Sequence, residues 1–408
     1  MVSLARATLL YEWRRFLAAV LAVAFSGLLV LVQLALLVGM FGTVAVYIDE
    51  SAADLWVGFA GTQSVDLGKP FNAQVETRLH VHPAVADVEP FIFAQSDWRT
   101  PKGANLYAYM LGIDPAADAM AFAKVLPPAT RALLLEPMTV IIDAADREKL
   151  GVTPDQSAGG MTRNPASGTT STASTTGTSD TTGTASNIAE IGGRRVKVVA
   201  VVQGLRAIGG VNIVTSLSSA RTIDGSAARE RQEVSYFLLR LKPGADAETV
   251  RSELTPRGQV KPFQVWTAAE FSRHSQLYWL TESGAGAGFA FSTLLGLLVG
   301  IIVTSQTLMA AITASIREYA TLRALGVARA SLRAVVLEQS FWIGIAGLAL
   351  TAGLSALIAM LARAAYVAMA FPPWAIALTA ALILIIALGS GLLALRALGR
   401  ADPAALLR

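Results

Sequence analysis

The chain of 408 residues contains no cysteine and three histidines. Disulfide frameworks, zinc knuckles and thiol nucleophiles are therefore excluded, and a rich metal centre has too few ligands. His80 and His82, read on a strand, would share one face and form a candidate metal pair. With no third histidine nearby, ordinary surface histidines are the expected reading. Phosphate-cradling GxxxxGK[ST] is absent, so the chain does not hydrolyse nucleotide by that device. GxSxG and HExxH are absent as well. Charge is scarce: 15% of residues are charged and 53% are hydrophobic, whereas soluble domains carry about 25% charge.

The scarcity is uneven. Residues 48–284 hold 25 of the 29 acidic and 22 of the 33 basic side chains, a net of −3; the remaining residues hold 4 and 11, a net of +7. One part has the composition of a soluble domain and the rest that of lipid-embedded protein. A single soluble globule, a secreted protein and a disordered chain are excluded. The excess positive charge sits beside apolar runs, which points to lipid headgroups and not to nucleic acid.

Four runs are long enough to cross a bilayer, for which roughly 20 apolar residues suffice: 16–48, 285–316, 335–361 and 374–395. The first is too long for the apolar core of a signal peptide. It also exceeds the hydrocarbon thickness, so it either tilts or leaves the membrane as a stalk, and the stalk is the favoured reading. Trp13, Trp279, Trp342 and Trp374 sit near run ends as interface anchors. Arg6, Arg14 and Arg15, then Arg317, Arg323, Arg329 and Arg333, then Arg396, Arg400 and Arg408 fall on one side if both termini are cytoplasmic. Only Arg363 is then left outside. The expected fold is four transmembrane helices with both termini cytoplasmic, plus a large external α+β domain between helices 1 and 2.

In that domain, 49–266, residues 107–112, 139–143, 195–203 and 234–241 read as strands, and 187–195 as a hairpin turning at Gly192-Gly193. Residues 73–80, 128–135, 144–150 and 247–254 read as helices. Residues 157–187 hold 21 Ser, Thr or Gly among 31, a composition that cannot offset ordering entropy and reads as a disordered insert. Residues 267–284 read as a stalk helix. The pairs Asp143/Asp146 and Glu230/Glu233 read as helix-surface charge, not as catalytic acids. Gly296 and Gly300 form a GxxxG, a candidate close-packing face. Gln33, Ser305 and Gln306 are either interhelical hydrogen-bonders or tolerated polar groups. No charged residue lies in the middle of a run, which argues against an ion-coupled pump.

Between the second and third runs, residues 315–338 alternate apolar and polar positions at helical spacing, break at Gly326 and restart at Ser331. By pattern alone, a helix docking a protein partner and one resting on headgroups are equal readings. The stretch Arg317-Glu318-Tyr319-Ala320-Thr321-Leu322-Arg323-Ala324-Leu325-Gly326 closely resembles the signature of the FtsX-like permeases, the membrane subunits of MacB-type (type VII) ABC systems. The ending Arg400-Ala401-Asp402-Pro403-Ala404-Ala405-Leu406-Leu407-Arg408 resembles that family's DPxxxLR tail, and the order of parts matches. Within the family, Gly192-Gly193-Arg194-Arg195-Val196-Lys197-Val198-Val199 is similar to DevC-like permeases.

The resemblance implies an ABC ATPase subunit docked on a coupling loop at 317–334 through Arg317, Glu318, Leu322, Arg323, Leu325 and Gly326, and on residues 4–13 of the amphipathic N-terminal segment. It implies no enzyme activity and no cofactor in this chain, ATP being held by the partner. A homodimer, a membrane-fusion adaptor, an outer-membrane duct and mechanotransmission across a bacterial inner membrane follow from it, with the 49–266 domain periplasmic. The alternatives are a non-transporting FtsX-like regulator, a lipoprotein-releasing permease, and a membrane-anchored periplasmic sensor or binding protein.

Overall fold

The computed structural model describes residues 11, 13–152, 187–207, 210–224, 233–256, 261–314 and 328–400. The expected insert at 157–187, apart from Asn187, lies outside the described residues. In chain order the elements are helices α1 (Trp13–Gly42) and α2 (Val46–Asp49), strand β1 (Leu55–Phe59), α3 (Val75–His80), β2 (Val85–Arg99), β3 (Asn105–Ile113), α4 (Pro128–Ala132), β4 (Thr139–Asp143), α5 (Arg147–Leu150), β5 (Ile188–Ile191), β6 (Arg194–Val202), β7 (Val211–Ser216), α6 (Leu217–Asp224), β8 (Tyr236–Leu241), α7 (Ala247–Leu254), β9 (Phe263–Thr267), α8 (Ala268–Thr281), α9 (Ala285–Ala314), α10 (Arg329–Ala364) and α11 (Pro373–Arg400). The chain divides into two units, Met1–Met40 with Ser283–Arg408, and Phe41–Glu282.

The first unit holds the apolar helices. Among the described residues four helical stretches are long and apolar enough to cross a membrane: Phe16–Asp49, Gly286–Thr307, Arg333–Ala364 and Pro373–Leu392. α1 is the most buried of them and α9 the least. Phe16, Ala19 and Val23 of α1 pack with Val336 and Ile343 of α10 and Ile383 of α11. Lipid tails are as apolar as these side chains, so packing here depends on backbones coming close. Glycines allow it. A Cβ on Gly347 would lie 2.8 Å from Cβ of Val23, and one on Gly39 would lie 2.7 Å from Cα of Met369. The turn between α10 and α11 is also tied to α1 by the Ala370 N–H donating to the Ala35 carbonyl at 3.0 Å.

The second unit is α/β, and its strands alternate between two cores, interrupted only at the register shifts of the β2–β8 and β4–β6 pairs. Leu55, Val57, Phe237, Leu239, Phe263 and Val265 enter one cluster with Leu79 of α3 and Val250 and Leu254 of α7. Trp56, Tyr236, Leu238 and Trp266 enter the other with Tyr47 of α2 and Phe271 of α8. Side chains alternate faces along a strand, so strands buried on both faces read as unbroken apolar runs. That is why VSYFLLRL shows so little polar alternation.

Strands β2, β8, β1 and β9 lie side by side in that order, every pair antiparallel. With α3 and α7 they make a β-α-β-β-α-β unit of ferredoxin-like order. The chain between its second and third strands builds a further ring. β2 continues past Phe91 and pairs with β3 and with β5, and the order β2-β3-β7-β4-β6-β5 closes on itself. The single 15-residue strand β2 therefore belongs to both sheets.

The expected strands at 107–112 and 139–143 fall within β3 and β4, while those at 195–203 and 234–241 overlap β6, which ends at Val202, and β8, which begins at Tyr236. The hairpin turns where expected, with Gly192 and Gly193 at φ +54° and +75°, a conformation that L side chains avoid. Strands β1, β2, β7 and β9 and helix α6 are additional. The segment read as a stalk helix is helical as α8, but one face of it is core: Phe271 is fully buried and stacks on Trp266 at 4.6 Å. Thr267 caps it by accepting the Glu270 N–H at 3.2 Å. His80 ends α3 and His82 follows it in a turn facing Glu253 at 3.1 Å, so the two histidines do not share a strand face.

Two polar groups stitch loops to this core. Glu89 of β2 is buried and accepts the N–H groups of Met120 and Ala121. Buried Arg131 donates to the carbonyls of Asp114 (3.1 Å) and Ala121 (2.6 Å). Burial raises the Glu89 carboxyl to about 7, against the opposing pull of those N–H groups and of Arg131. The folded chain thus holds this proton more tightly than the unfolded chain, whose carboxyl titrates near 4.5. This group's contribution to stability is fully present below about pH 4.5 and is lost as pH rises through about 7, by up to about 3 kcal/mol. Asp146, also raised by burial, slopes the same way. Melts of the purified chain at pH 5 and pH 8 should show a smaller loss on raising the pH in Glu89→Gln, which keeps one acceptor, than in wild type; equal losses would contradict this assignment.

Candidate functional site

The expected docking residues Arg317, Glu318, Leu322, Arg323, Leu325 and Gly326 lie outside the described residues. So do residues 1–10 and 12 of the N-terminal segment, while Tyr11 and Trp13 are exposed. The frame on either side is described: α9 ends at Ala314, and α10 begins at Arg329, two residues before the expected restart.

On α9, Ser292, Gly296, Gly300 and Thr304 recur every fourth residue and form one stripe. The stripe meets α1 in antiparallel order. Gln33 donates to Ser292 Oγ at 2.8 Å, Leu29 Cβ would lie 3.9 Å from a Cβ on Gly296, and Ser26 Cβ would lie 2.7 Å from one on Gly300. Ser26 and Thr304 share a hydrogen bond of 3.3 Å. Gly296 and Gly300 thus belong to a small-residue face of three four-residue steps where the GxxxG has one, ending in a polar contact at each end. Gln33 and Ser305 are interhelical hydrogen-bonders, the latter to Ser390 at 3.0 Å, whereas Gln306 is exposed. On the other side of α1, Thr351 Oγ1 donates to the Ala24 carbonyl at 3.2 Å.

The acidic pair Asp143/Asp146 is not helix-surface charge. Both side chains are buried. Asp143 ends β4 and accepts N–H groups from Ala145 (2.8 Å), Gly204 (3.0 Å) and Leu205 (2.8 Å), so it acts as a backbone clamp. Asp146 faces Lys149 at 3.8 Å and is raised by burial, with Arg206 opposing. Glu230 of the second pair lies outside the described residues. Tyr47 donates to Asn212 Oδ1 at 2.9 Å and Asn212 to the Leu205 carbonyl, which is again internal stitching. Among the described residues no group of three His, Asp or Glu side chains is arranged to hold a metal.

Four membrane-length apolar helices and a separate α/β unit define an integral membrane protein with one large aqueous domain. Residues 290–403, from α9 into the tail, match the family described as FtsX-like permease C-terminal. No curated protein matches the sequence. Three solved structures are similar to parts of the chain. The periplasmic region of MacB from Actinobacillus actinomycetemcomitans aligns at TM-score 0.33 and 11% identity, over 55% of this chain and 94% of that one. The extracellular domain of the noncanonic ABC-type transporter YknZ from Gram-positive bacteria aligns at 0.32 and 13%, over 52% and 99%. A domain of a putative permease protein from Porphyromonas gingivalis aligns at 0.26 and 13%, over 52% and 85%.

The stripe makes a direct prediction. Gly300→Leu, forced against Ser26, should destabilise the detergent-solubilised chain by about 1–3 kcal/mol and Gly300→Ala by less. Gly353→Leu, with open space around the position, should be near neutral. Equal melting temperatures for Gly300→Leu and Gly353→Leu would exclude the α1–α9 contact.

Proposed function

We propose that this chain is the membrane permease subunit of an ABC exporter, of the DevC-like kind, working by mechanotransmission. A partner ATPase would bind on the cytoplasmic loop at 317–326. Its ATP-driven closure would move a pair of these chains, and through them an amphiphile or envelope component on the periplasmic side, with an adaptor and outer-membrane duct downstream. The observation that carries the reading is the FtsX-like match at 290–403, which spans that loop and three of the apolar helices. It occurs in a chain with no GxxxxGK[ST] of its own. A seam of neutral hydroxyls and glycines, without a buried charge at its centre, suits helices that transmit motion better than helices that conduct an ion.

Two measurements test this. Purified in nanodiscs, the wild type should capture a nucleotide-binding ABC subunit from its own cells, and Glu318→Lys with Leu325→Asp should lower capture at least about tenfold, the scale of a lost interface anchor. Capture of an envelope enzyme in place of any ATPase would favour the sensor reading. The cysteine-free chain also suits single-cysteine labelling. In spheroplasts an impermeant maleimide should label Ser174→Cys directly and Ala324→Cys only after permeabilisation; the opposite pattern would overturn the topology.

A further inference from the structure

A cleft of about 510 Å³ opens on the α/β unit between α2 and α8, and Lys124 borders it. Its size falls within the usual range of ligand sites, roughly 300–1,000 Å³. Two alanines, Ala268 and Ala269, form part of its wall, where larger side chains would occupy the space. Its charges are unequal: Lys124 and Arg273 stand against the single carboxylate of Asp49. Lys124 Nζ donates to the Asp49 carbonyl. Arg273 is exposed and pairs with no carboxylate among the described residues. Its planar fork of donors matches a phosphate or carboxylate. The walls are also the two segments joined most directly to apolar helices: Asp49 ends the apolar stretch begun at Phe16, and α8 ends at Thr281, shortly before α9 begins at Ala285.

We propose that this cleft binds the anionic headgroup of an amphiphile, with Arg273 taking the charge, Lys124 supporting it and the alanine wall leaving room for the group. The inference names a substrate class for the permease reading and rests on that reading for its role in export. The binding itself can be measured without it.

The test uses the full chain in phosphatidylcholine nanodiscs, with empty nanodiscs subtracted, titrated calorimetrically with dodecyl phosphate, dodecyl maltoside and inorganic phosphate. Dodecyl phosphate should bind saturably, and dodecyl maltoside should not compete. Arg273→Glu should weaken binding at least about tenfold, as expected for loss of a charge-assisted bidentate contact, and Lys124→Glu by less. Ala269→Trp should abolish binding by filling the cleft, with an unchanged melting temperature showing that the fold is intact. Inorganic phosphate binding as tightly as dodecyl phosphate would overturn the amphiphile and leave a free-anion site. Undiminished binding in both Arg273→Glu and Ala269→Trp, or none by the wild type, would overturn the cleft. Loss of ATPase capture with dodecyl phosphate binding retained would instead sink the permease reading alone.

Discussion

Apolar helices in lipid gain nothing hydrophobic by touching one another, so the packing of the first unit depends on the close approach of backbones along α1. This helix supplies a partner to each of the others: Ser26 to the glycine stripe of α9, Val23 and the Ala24 carbonyl to α10, and Ala35 with Gly39 to the turn that begins the return through α11. Two of the hydroxyls at these contacts also donate within their own helices, Ser26 to the Ala22 carbonyl at 2.8 Å and Thr351 to the Gly347 carbonyl at 2.9 Å. They therefore enter the seam at little desolvation cost. A bulky substitution on α1 would separate several contacts at once, whereas one on the outer face of α9 would meet only lipid.

The α/β unit is held by a different device. Its strands are apolar on both faces, and β2 carries one sheet into the next, so the ferredoxin-like layer and the closed ring share a backbone and cannot open independently there. What remains is to tie down the loops. Glu89, Arg131 and Asp143 do this from inside, each holding backbone groups of a segment that has no strand of its own. Such groups are costly to bury unless satisfied. Their partners are main-chain atoms, which side-chain substitution elsewhere leaves in place.

Much of this could be read from residue patterns, and the failures have physical causes. The four apolar runs and the Gly192-Gly193 turn stand out because each depends on local composition or on a backbone angle that few residues tolerate. Strand β2 was not visible: Pro90 and the polar run Gln95-Ser96-Asp97 break its pattern, and only its pairing with β8 and then β3 makes it one strand. β7 hides for a related reason, since Asn212, Thr215 and Ser216 are polar yet buried against tertiary partners. Asp143 and Asp146 were misread because their spacing suits a helix surface, while the hydrogen bonds that draw Asp143 inward come from Gly204 and Leu205, some sixty residues away. The stripe on α9 was half legible. Two glycines announce themselves, but Ser292 and Thr304 join them only once Gln33 and Ser26 are seen opposite.

The polar residues between the membrane helices bear on what could drive the protein. A proton relay or ion path requires groups that change charge or exchange ligands within the span. The contacts Ser26–Thr304, Gln33–Ser292, Ser305–Ser390 and Thr351–Ala24 are hydroxyl to hydroxyl, amide to hydroxyl or hydroxyl to carbonyl, none of which titrates near neutral pH. Small side chains at the same contacts permit helices to slide or tilt without leaving a charge unpaired. Under the proposed function the free energy for directed motion comes from the partner ATPase, and these four contacts need supply none of it.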